Sequence, residues 1–227
     1  MTAAGAYDAV LFDFGHTLFA HPGGVAVLQA AADELGHPLD HPSAGELWAE
    51  IDRAAMDPAE VARGRDLDSE VWRSRWKVLY GLADRVLPGL GDALDASFHD
   101  PWAWVPYADT AAVLADLADS GIGVGVLSNT GWDIRTPFRV RGLERFIGSF
   151  TLSYEAGAVK PDPGIFHTAC RSLGADPART LMVGDDPIAD TGAVAAGLAD
   201  VLLVDPATPL GEPHGLDRVI RAVSGRA

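Results

Sequence analysis

The chain has 227 residues, 48% of them hydrophobic and 22% charged, which is typical of a globular protein with a sizeable buried core. Its formal net charge of −15 argues against a broad surface for nucleic acid or anionic membranes, because these partners are also negatively charged. Cys170 is the single cysteine, so an internal disulfide is excluded, and no apolar run approaches the ~20 residues that span a bilayer. Residues 1–10 lack the pattern of a signal peptide, and we expect a cytoplasmic protein.

Five short apolar runs predict buried strands, the third more weakly than the others. They lie at residues 7–13, 122–128, 149–153, 180–185 and 200–205. Helical patterns separate the later strands, with Asp109 and Asp162 as the expected N-caps and Gly174 as the end of the second helix. Strands that alternate with helices imply a parallel sheet, so the predicted fold is α/β with a doubly wound, Rossmann-like core.

The segment from residue 20 to 105 breaks this alternation, because it contains helical patterns and no convincing strand. The helices are predicted at 25–35, 44–56, 66–86 and 90–98. We interpret the chain as an α/β core of residues 1–19 and 106–227 with a small all-helical cap at 20–105. Trp72, Trp76 and Tyr80 recur at helical spacing, a stripe that we expect to pack in the core of the cap. The alternative is that one of these rings faces the cleft and meets an apolar substrate. Trp132, which follows a strand end closely, is expected to line the pocket.

Polar side chains stand where the predicted strands end. They are Asp13, Ser128, Asn129, Asp185 and Asp186. Ligands of an open parallel sheet bind beyond the carboxyl ends of its strands, so these side chains should share one rim. Lys160 is expected at the same rim, and it is one of only two lysines in a chain with fifteen arginines.

This set of groups suits phosphate chemistry. A carboxylate such as Asp13 can attack phosphorus and form an aspartyl-phosphate, which divides one difficult step into two. A divalent cation held by Asp13 and Asp185 would bridge the nucleophile and the phosphate, and oxygen ligands with retained waters favour Mg²⁺. The Lys160 ammonium and the Ser128 hydroxyl would hold the other phosphate oxygens.

Four motifs, in this order, resemble those of the haloacid dehalogenase-like (HAD) hydrolase superfamily. They are DFGHTL at 13–18, Ser128-Asn129, Lys160-Pro161 and GDDPIAD at 184–190. The helical segment after the first motif resembles the early, all-helical cap of one subfamily. The resemblance therefore covers nearly the whole chain, and it implies the same doubly wound fold.

The resemblance also implies a role for each matching residue. The implied catalytic residues are Asp13, Thr17, Ser128 and Lys160, and the implied substrate-binding residues are Ser128, Asn129 and Lys160. The implied Mg²⁺ ligands are Asp13, the backbone carbonyl of Gly15, Asp185, and Asp190 as a second ligand or an outer-shell partner. Small phosphomonoesters are the expected substrates, because a cap over the strand ends would exclude bulky polymers.

Position 15 departs from the family pattern. The superfamily's general acid/base is an aspartate at this position, and Gly15 cannot transfer a proton. General acid–base catalysis is typically worth ~10²–10⁴ in rate, so we predict a slow phosphatase that prefers good leaving groups. His16 is the nearest substitute, and His16→Ala is predicted to cut turnover at least tenfold with little change in Mg²⁺ affinity.

Two other functions stay open on the sequence. A metal-free 2-haloacid dehalogenase would also lack the second aspartate, although the acidic GDDPIAD segment suits a metal better than an anionic haloacid. A non-catalytic domain that keeps the fold would also tolerate Gly15, although it has no evident need for Asp13, Lys160 and Asp185 together.

Overall fold

The central feature of the fold is a parallel sheet, in a computed structural model that describes residues 7–225. The strands are β1 (Ala9–Phe12), β2 (Phe19–Ala20), β3 (Val105–Pro106), β4 (Gly123–Ser128), β5 (Ser149–Leu152), β6 (Thr180–Gly184) and β7 (Asp200–Leu203). Five of them form the parallel sheet in the order β5-β4-β1-β6-β7. All five predicted strands are confirmed, and the strand with the weakest sequence pattern, at 149–153, is the edge strand β5. The expectation about a signal peptide falls largely on residues 1–6, outside the described residues.

Helices account for most of the remaining chain. They are α1 (Gly24–Glu34), α2 (His41–Ala55), α3 (Pro58–Val61), α4 (Ser69–Tyr80), α5 (Leu90–His99), α6 (Thr110–Asp119), α7 (Arg135–Val140), α8 (Ser153–Ala156), α9 (Pro163–Leu173), α10 (Gly192–Ala195) and α11 (Asp217–Ser224). Across residues 7–225, each helix is too short or too polar to cross a membrane.

Helices cover both faces of the sheet. Along β1, Val10 and Phe12 join a core cluster with α6 and α11, whereas Leu11 joins a second cluster with α9. This alternation follows from the period of two in a strand, which sends successive side chains to opposite faces. Because both faces are buried, the strands are continuously apolar and only their ends are open to a ligand.

The helices α1, α2, α4 and α5 share a third buried cluster of their own, in which Leu28, Ile51 and Leu94 are fully buried. The chain enters this segment at β2 and leaves it at β3, and these two strands pair antiparallel. The sequence predicts helices here correctly and misses both strands, because a strand of two residues is too short to show alternation.

The two predicted N-caps have different outcomes. Asp162 accepts a hydrogen bond from the first turn of α9 at 2.7 Å, and Gly174 ends that helix with a φ of 70°, as predicted. The prediction for Asp109 is wrong, because its carboxylate makes no capping bond to α6. Its two oxygens instead accept hydrogen bonds from the backbone N–H groups of His214 and Leu216, both at 2.9 Å. A distant tertiary partner has therefore displaced the local cap.

Candidate active site

Three aspartates meet at the carboxyl end of the sheet. Asp13 directly follows β1 and Asp185 directly follows β6, and the parallel pairing of these two strands brings both residues together. Asp190 comes from the turn after β6 and is fully buried. One carboxylate oxygen from each aspartate lies within 4.8 Å of the others, so the three could hold a metal ion.

Lys160 brings a positive charge to this acidic cluster. Its Nζ donates a hydrogen bond to Oδ1 of Asp190 at 2.6 Å and lies 3.0 Å from Oδ2 of Asp13. Asn129 holds the lysine backbone, because its Nδ2 donates to the Lys160 carbonyl at 3.0 Å and its Oδ1 accepts from the Lys160 N–H at 2.7 Å. Both ends of the Asn129 amide are thus engaged in positioning the lysine.

Further contacts orient the two aspartates that follow β6. The Thr17 hydroxyl donates to Oδ1 of Asp185 at 3.1 Å, and the backbone N–H of Asp186 donates to Oδ2 of Asp190 at 3.0 Å. Gly184 makes room for the second of these contacts, since a Cβ at that position would lie 2.0 Å from Oδ2 of Asp190. The Asp190 carboxylate therefore has both oxygens hydrogen-bonded and little freedom to move.

The cluster carries an excess of negative charge. Burial raises the pKa of Asp185 to about 7, and the neighbouring charge of Asp13 adds to the effect while the Thr17 hydroxyl opposes it. Burial also raises the pKa of Asp190 against the influence of Lys160. Burial alone would lower the pKa of Lys160, but the charges of Asp13 and Asp190 outweigh this effect and raise the pKa above its ordinary value. A divalent cation would neutralise this excess charge.

A cavity of about 390 Å³ opens above the cluster. The predicted site residues that line it are Asp13, Gly15, Ser128, Asn129 and Asp185. Thr17, Lys160 and Asp190 are buried behind them. The four sequence motifs thus converge on one place, although they are spread from residue 13 to residue 190 of the chain.

Much of the remaining cavity wall is aromatic. The aromatic residues in it are Phe14, Trp48, Trp72, Trp76, Tyr80, Phe98, Trp104 and Trp132. The expectation for Trp132 is confirmed, but the stripe of Trp72, Trp76 and Tyr80 lines the cavity as well as packing among the helices. Helical spacing shows that these residues share one face of α4, but it does not show that this face borders a cleft.

The loop after Asp13 is held by His214, a residue that belongs to none of the four motifs. His16 has a φ of 54°, a left-handed conformation that is uncommon outside glycine, and its carbonyl accepts a hydrogen bond from Nε2 of His214 at 2.7 Å. The ring of Tyr107 stacks on His214 with centroids 3.9 Å apart. Since His214 lies 198 residues further along the chain, no local signal could have revealed this contact.

A comparison with known proteins agrees with this site. A family model described as haloacid dehalogenase-like hydrolase matches residues 7–197. The ribulose-1,5-bisphosphate 5-phosphatase of Halopiger xanaduensis is 29% identical over 92% of this chain and 90% of its own length. The glyceraldehyde 3-phosphate phosphatase of Methanothermobacter thermautotrophicus is 29% identical over 92% of both chains. A solved crystal structure of a dehalogenase has the same fold, with a TM-score of 0.72 at 21% identity over 96% of this chain and 97% of that chain.

Proposed function

The chain belongs to the haloacid dehalogenase-like hydrolase family, and from this premise we propose that it is a Mg²⁺-dependent phosphatase of small phosphomonoesters. The observation that carries the proposal is the meeting of Asp13, Asp185 and Lys160 at the ends of parallel strands. Phosphoryl transfer through an aspartyl-phosphate requires a nucleophile, a metal-binding carboxylate and a phosphate-binding cation, and these three residues supply them. Two phosphatase relatives that match along nine-tenths of the chain support the same reaction class.

The donor set fits Mg²⁺. Asp13, Asp185 and Asp190 offer carboxylate oxygens only, and the first two line an open cavity in which the ion could keep waters and meet a phosphate. We assign Asp13 and Asp185 as ligands together with the Gly15 carbonyl, and Asp190 as the residue that completes the acidic cluster and holds Lys160. When bound, the ion would offset the repulsion between the Asp13 carboxylate and the phosphate.

The residues of the chain carry the two chemical steps. A carboxylate oxygen of Asp13 attacks phosphorus while the ester P–O bond breaks, and its electron pair leaves with the alcohol oxygen. Water then attacks the phosphorus of the aspartyl-phosphate, which releases inorganic phosphate, restores the carboxylate and supplies the proton that the alcohol takes up. Lys160 and Ser128 bind the non-bridging oxygens throughout, and Asn129 acts by fixing the position of Lys160.

Gly15 determines which esters this site would cleave readily. A glycine cannot protonate the leaving alcohol, so the reaction should be slow for poor leaving groups. His16 also lines the cavity, and its role as a substitute acid stays a prediction to be tested with His16→Ala.

The proposal is tested by assaying a panel of phosphate esters, including an activated aryl phosphate, with and without Mg²⁺. We compare the wild type with Asp13→Asn and with the matched control Asp119→Asn, a carboxylate on the exposed surface of α6. If the protein is a phosphatase, phosphate release should depend on Mg²⁺. Asp13→Asn should abolish this release and Asp119→Asn should leave it intact.

Two results would refute the proposal. Release of halide from a 2-haloacid without metal would indicate a dehalogenase, the function for which the acidic cluster is least suited, because three carboxylates would repel an anionic haloacid. Binding of phosphate esters without turnover in either metal condition would indicate a domain that binds its ligand and does not catalyse.

A further inference from the structure

The cavity has an aromatic wall that the reaction itself does not require. We define the aromatic wall as the six aromatic residues that the segment 20–105 contributes to the lining: Trp48, Trp72, Trp76, Tyr80, Phe98 and Trp104. Phosphoryl transfer needs charged and polar groups, so these rings have no part in the two chemical steps. Trp48, Trp76, Phe98 and Trp104 are partly exposed and available to contact the part of the substrate that is not the phosphate, and the buried Trp72 and Tyr80 support them.

The rings of the aromatic wall are held in place by one another and by the backbone. The ring centroids of Trp76 and Tyr80 are 5.1 Å apart, and those of Tyr80 and Phe98 are 5.5 Å apart in a stacked arrangement. The indole N–H of Trp104 donates to the Phe98 carbonyl at 3.1 Å. Trp72 packs on the loop after β4, where a Cβ on Gly131 would lie 2.2 Å from its side chain. Such a wall is preorganised and loses little entropy when a flat ligand stacks on it.

Two polar groups are set into this wall. The guanidinium of Arg65 is buried, donates to the Ala55 carbonyl at 2.6 Å and lies 5.0 Å from the centroid of the Trp76 ring. The indole N–H of Trp76 is itself buried and has no hydrogen-bond partner within residues 7–225. The Trp76 ring is therefore held by its packing and by the Arg65 guanidinium rather than by a hydrogen bond.

The aromatic wall is also close to the position where the acid/base aspartate is missing. A Cβ at Gly15 would lie 3.7 Å from Cζ3 of Trp104, so the ring stands beside the place of the leaving group. A phenol has a pKa of about 10, whereas aliphatic alcohols resemble water, near ~16. A phenolate can therefore depart without the proton that Gly15 cannot supply. The missing acid and the aromatic wall favour the same kind of leaving group.

On the basis of the proposed phosphatase activity, we infer that the substrate is an aryl phosphomonoester, which is a phosphate on a flat aromatic alcohol. The ring stacks on the aromatic wall while the phosphate meets Asp13 and Lys160. The Asp13 oxygen forms the bond to phosphorus, the aryl P–O bond breaks, and the electron pair leaves on the phenolate. Water later releases inorganic phosphate from Asp13, as in the proposed mechanism.

Matched esters separate stacking from leaving-group chemistry. Benzyl phosphate and cyclohexylmethyl phosphate both leave as aliphatic alcohols, but only the first is flat, so a lower KM for benzyl phosphate reports stacking. Phenyl phosphate and benzyl phosphate are both flat, so a higher kcat for phenyl phosphate reports the leaving group. We expect the KM for benzyl phosphate to be at least threefold below that for cyclohexylmethyl phosphate. We expect the kcat for phenyl phosphate to be at least tenfold above that for benzyl phosphate.

Variants locate the effect in the wall. Trp76→Leu should raise the KM for benzyl phosphate roughly three- to tenfold, the size of one lost aromatic contact, and leave that for cyclohexylmethyl phosphate within twofold. Trp76→Phe keeps a ring and should retain most of the preference for the flat ester. The matched control is Trp102→Leu, because Trp102 is 57% exposed and outside the cavity lining. Equal KM values for the flat and the non-flat ester in the wild type would overturn the inference while leaving the phosphatase proposal intact.

Calorimetric binding to Asp13→Asn keeps the inference testable if no ester is turned over. Phenyl phosphate should bind at least fivefold more tightly than cyclohexyl phosphate, whatever the outcome of the activity assay. Phosphocholine is the third ligand, since aromatic walls also attract quaternary ammonium groups. Arg65 opposes a cation at the aromatic wall, whereas Asp66, 3.9 Å from it in the same lining, favours one. Tighter binding of phosphocholine than of phenyl phosphate would overturn the inference.

Discussion

Replacing Lys160 by methionine tests whether one buried cation holds the acidic cluster together. The Lys160 side chain is 1% exposed, with carboxylate oxygens of Asp190 and Asp13 at 2.6 and 3.0 Å. At an effective dielectric constant of ~20, each attraction amounts to about 5 to 6 kcal/mol. Desolvation of the buried ammonium offsets much of this, so the net loss for breaking such a pair is about 3–5 kcal/mol. Lys160→Met should lower the free energy of unfolding by that amount at pH 8 without metal.

Urea denaturation measures the loss, with Lys77→Met as the matched control. Lys77, the other lysine of the chain, is exposed on α4, and its replacement should change the free energy of unfolding by less than about 0.5 kcal/mol. Lowering the pH to 6 should shrink the penalty of Lys160→Met, because the raised pKa values of Asp185 and Asp190 let these groups take up protons. Added Mg²⁺ should stabilise the variant more than the wild type, because it supplies the missing positive charge.

A loss below 1 kcal/mol that does not depend on pH would refute this reasoning. It would mean that the three carboxylates do not repel one another in the folded protein, and that Lys160 is dispensable for their assembly.

Three further predictions follow from the same site. Gly184→Ala should abolish activity and lower the free energy of unfolding, because the new Cβ would lie 2.0 Å from Oδ2 of Asp190 and displace that carboxylate. The control Gly45→Ala has open space around it in α2 and should stabilise the protein by about 0.5–1 kcal/mol in the same urea assay. The apparent Mg²⁺ affinity should rise about tenfold per pH unit up to pH 7 and level off above it, because Asp185 has a pKa of about 7 and is protonated below that pH. A Mg²⁺ affinity that calorimetry finds unchanged from pH 6 to 8 would contradict this. Gly15→Asp should be accommodated, because its Cβ would lie at an ordinary contact distance of 3.7 Å from Trp104. It should raise kcat for an alkyl phosphate by ~10²–10⁴ and kcat for phenyl phosphate far less. Equal gains for the two esters would show that the glycine does not limit the protonation of the leaving group.

Local sequence signals predicted most of the fold. The parallel sheet could be predicted because strands buried on both faces are continuous apolar runs, and the cap at Asp162 because its partner lies two residues away. Asp13 and Asp185 could be placed at one rim because each directly follows a strand, and parallel strands bring their carboxyl ends together.

The contacts that give the site its properties could not be read in this way. Lys160 and Asp190 are 30 residues apart, and His214 and His16 are 198 apart, so neither pairing leaves a trace in local propensity. Asp109 shows the same limit, since a cap predicted from its neighbours was replaced by backbone partners more than 100 residues away.

The sequence by itself determined the chemical groups of this protein: an aspartate after β1, an acidic motif after β6, a lysine at position 160, and a glycine where an acid is usual. Only the tertiary structure decided their environment, in which Lys160 is buried between two carboxylates and four tryptophans of the helical segment line the cavity. The physical reason is that helix and strand periodicity depend on residues within a few positions. The burial of a side chain, its pKa and the surroundings of a helix face depend on residues that pack against them from elsewhere in the chain.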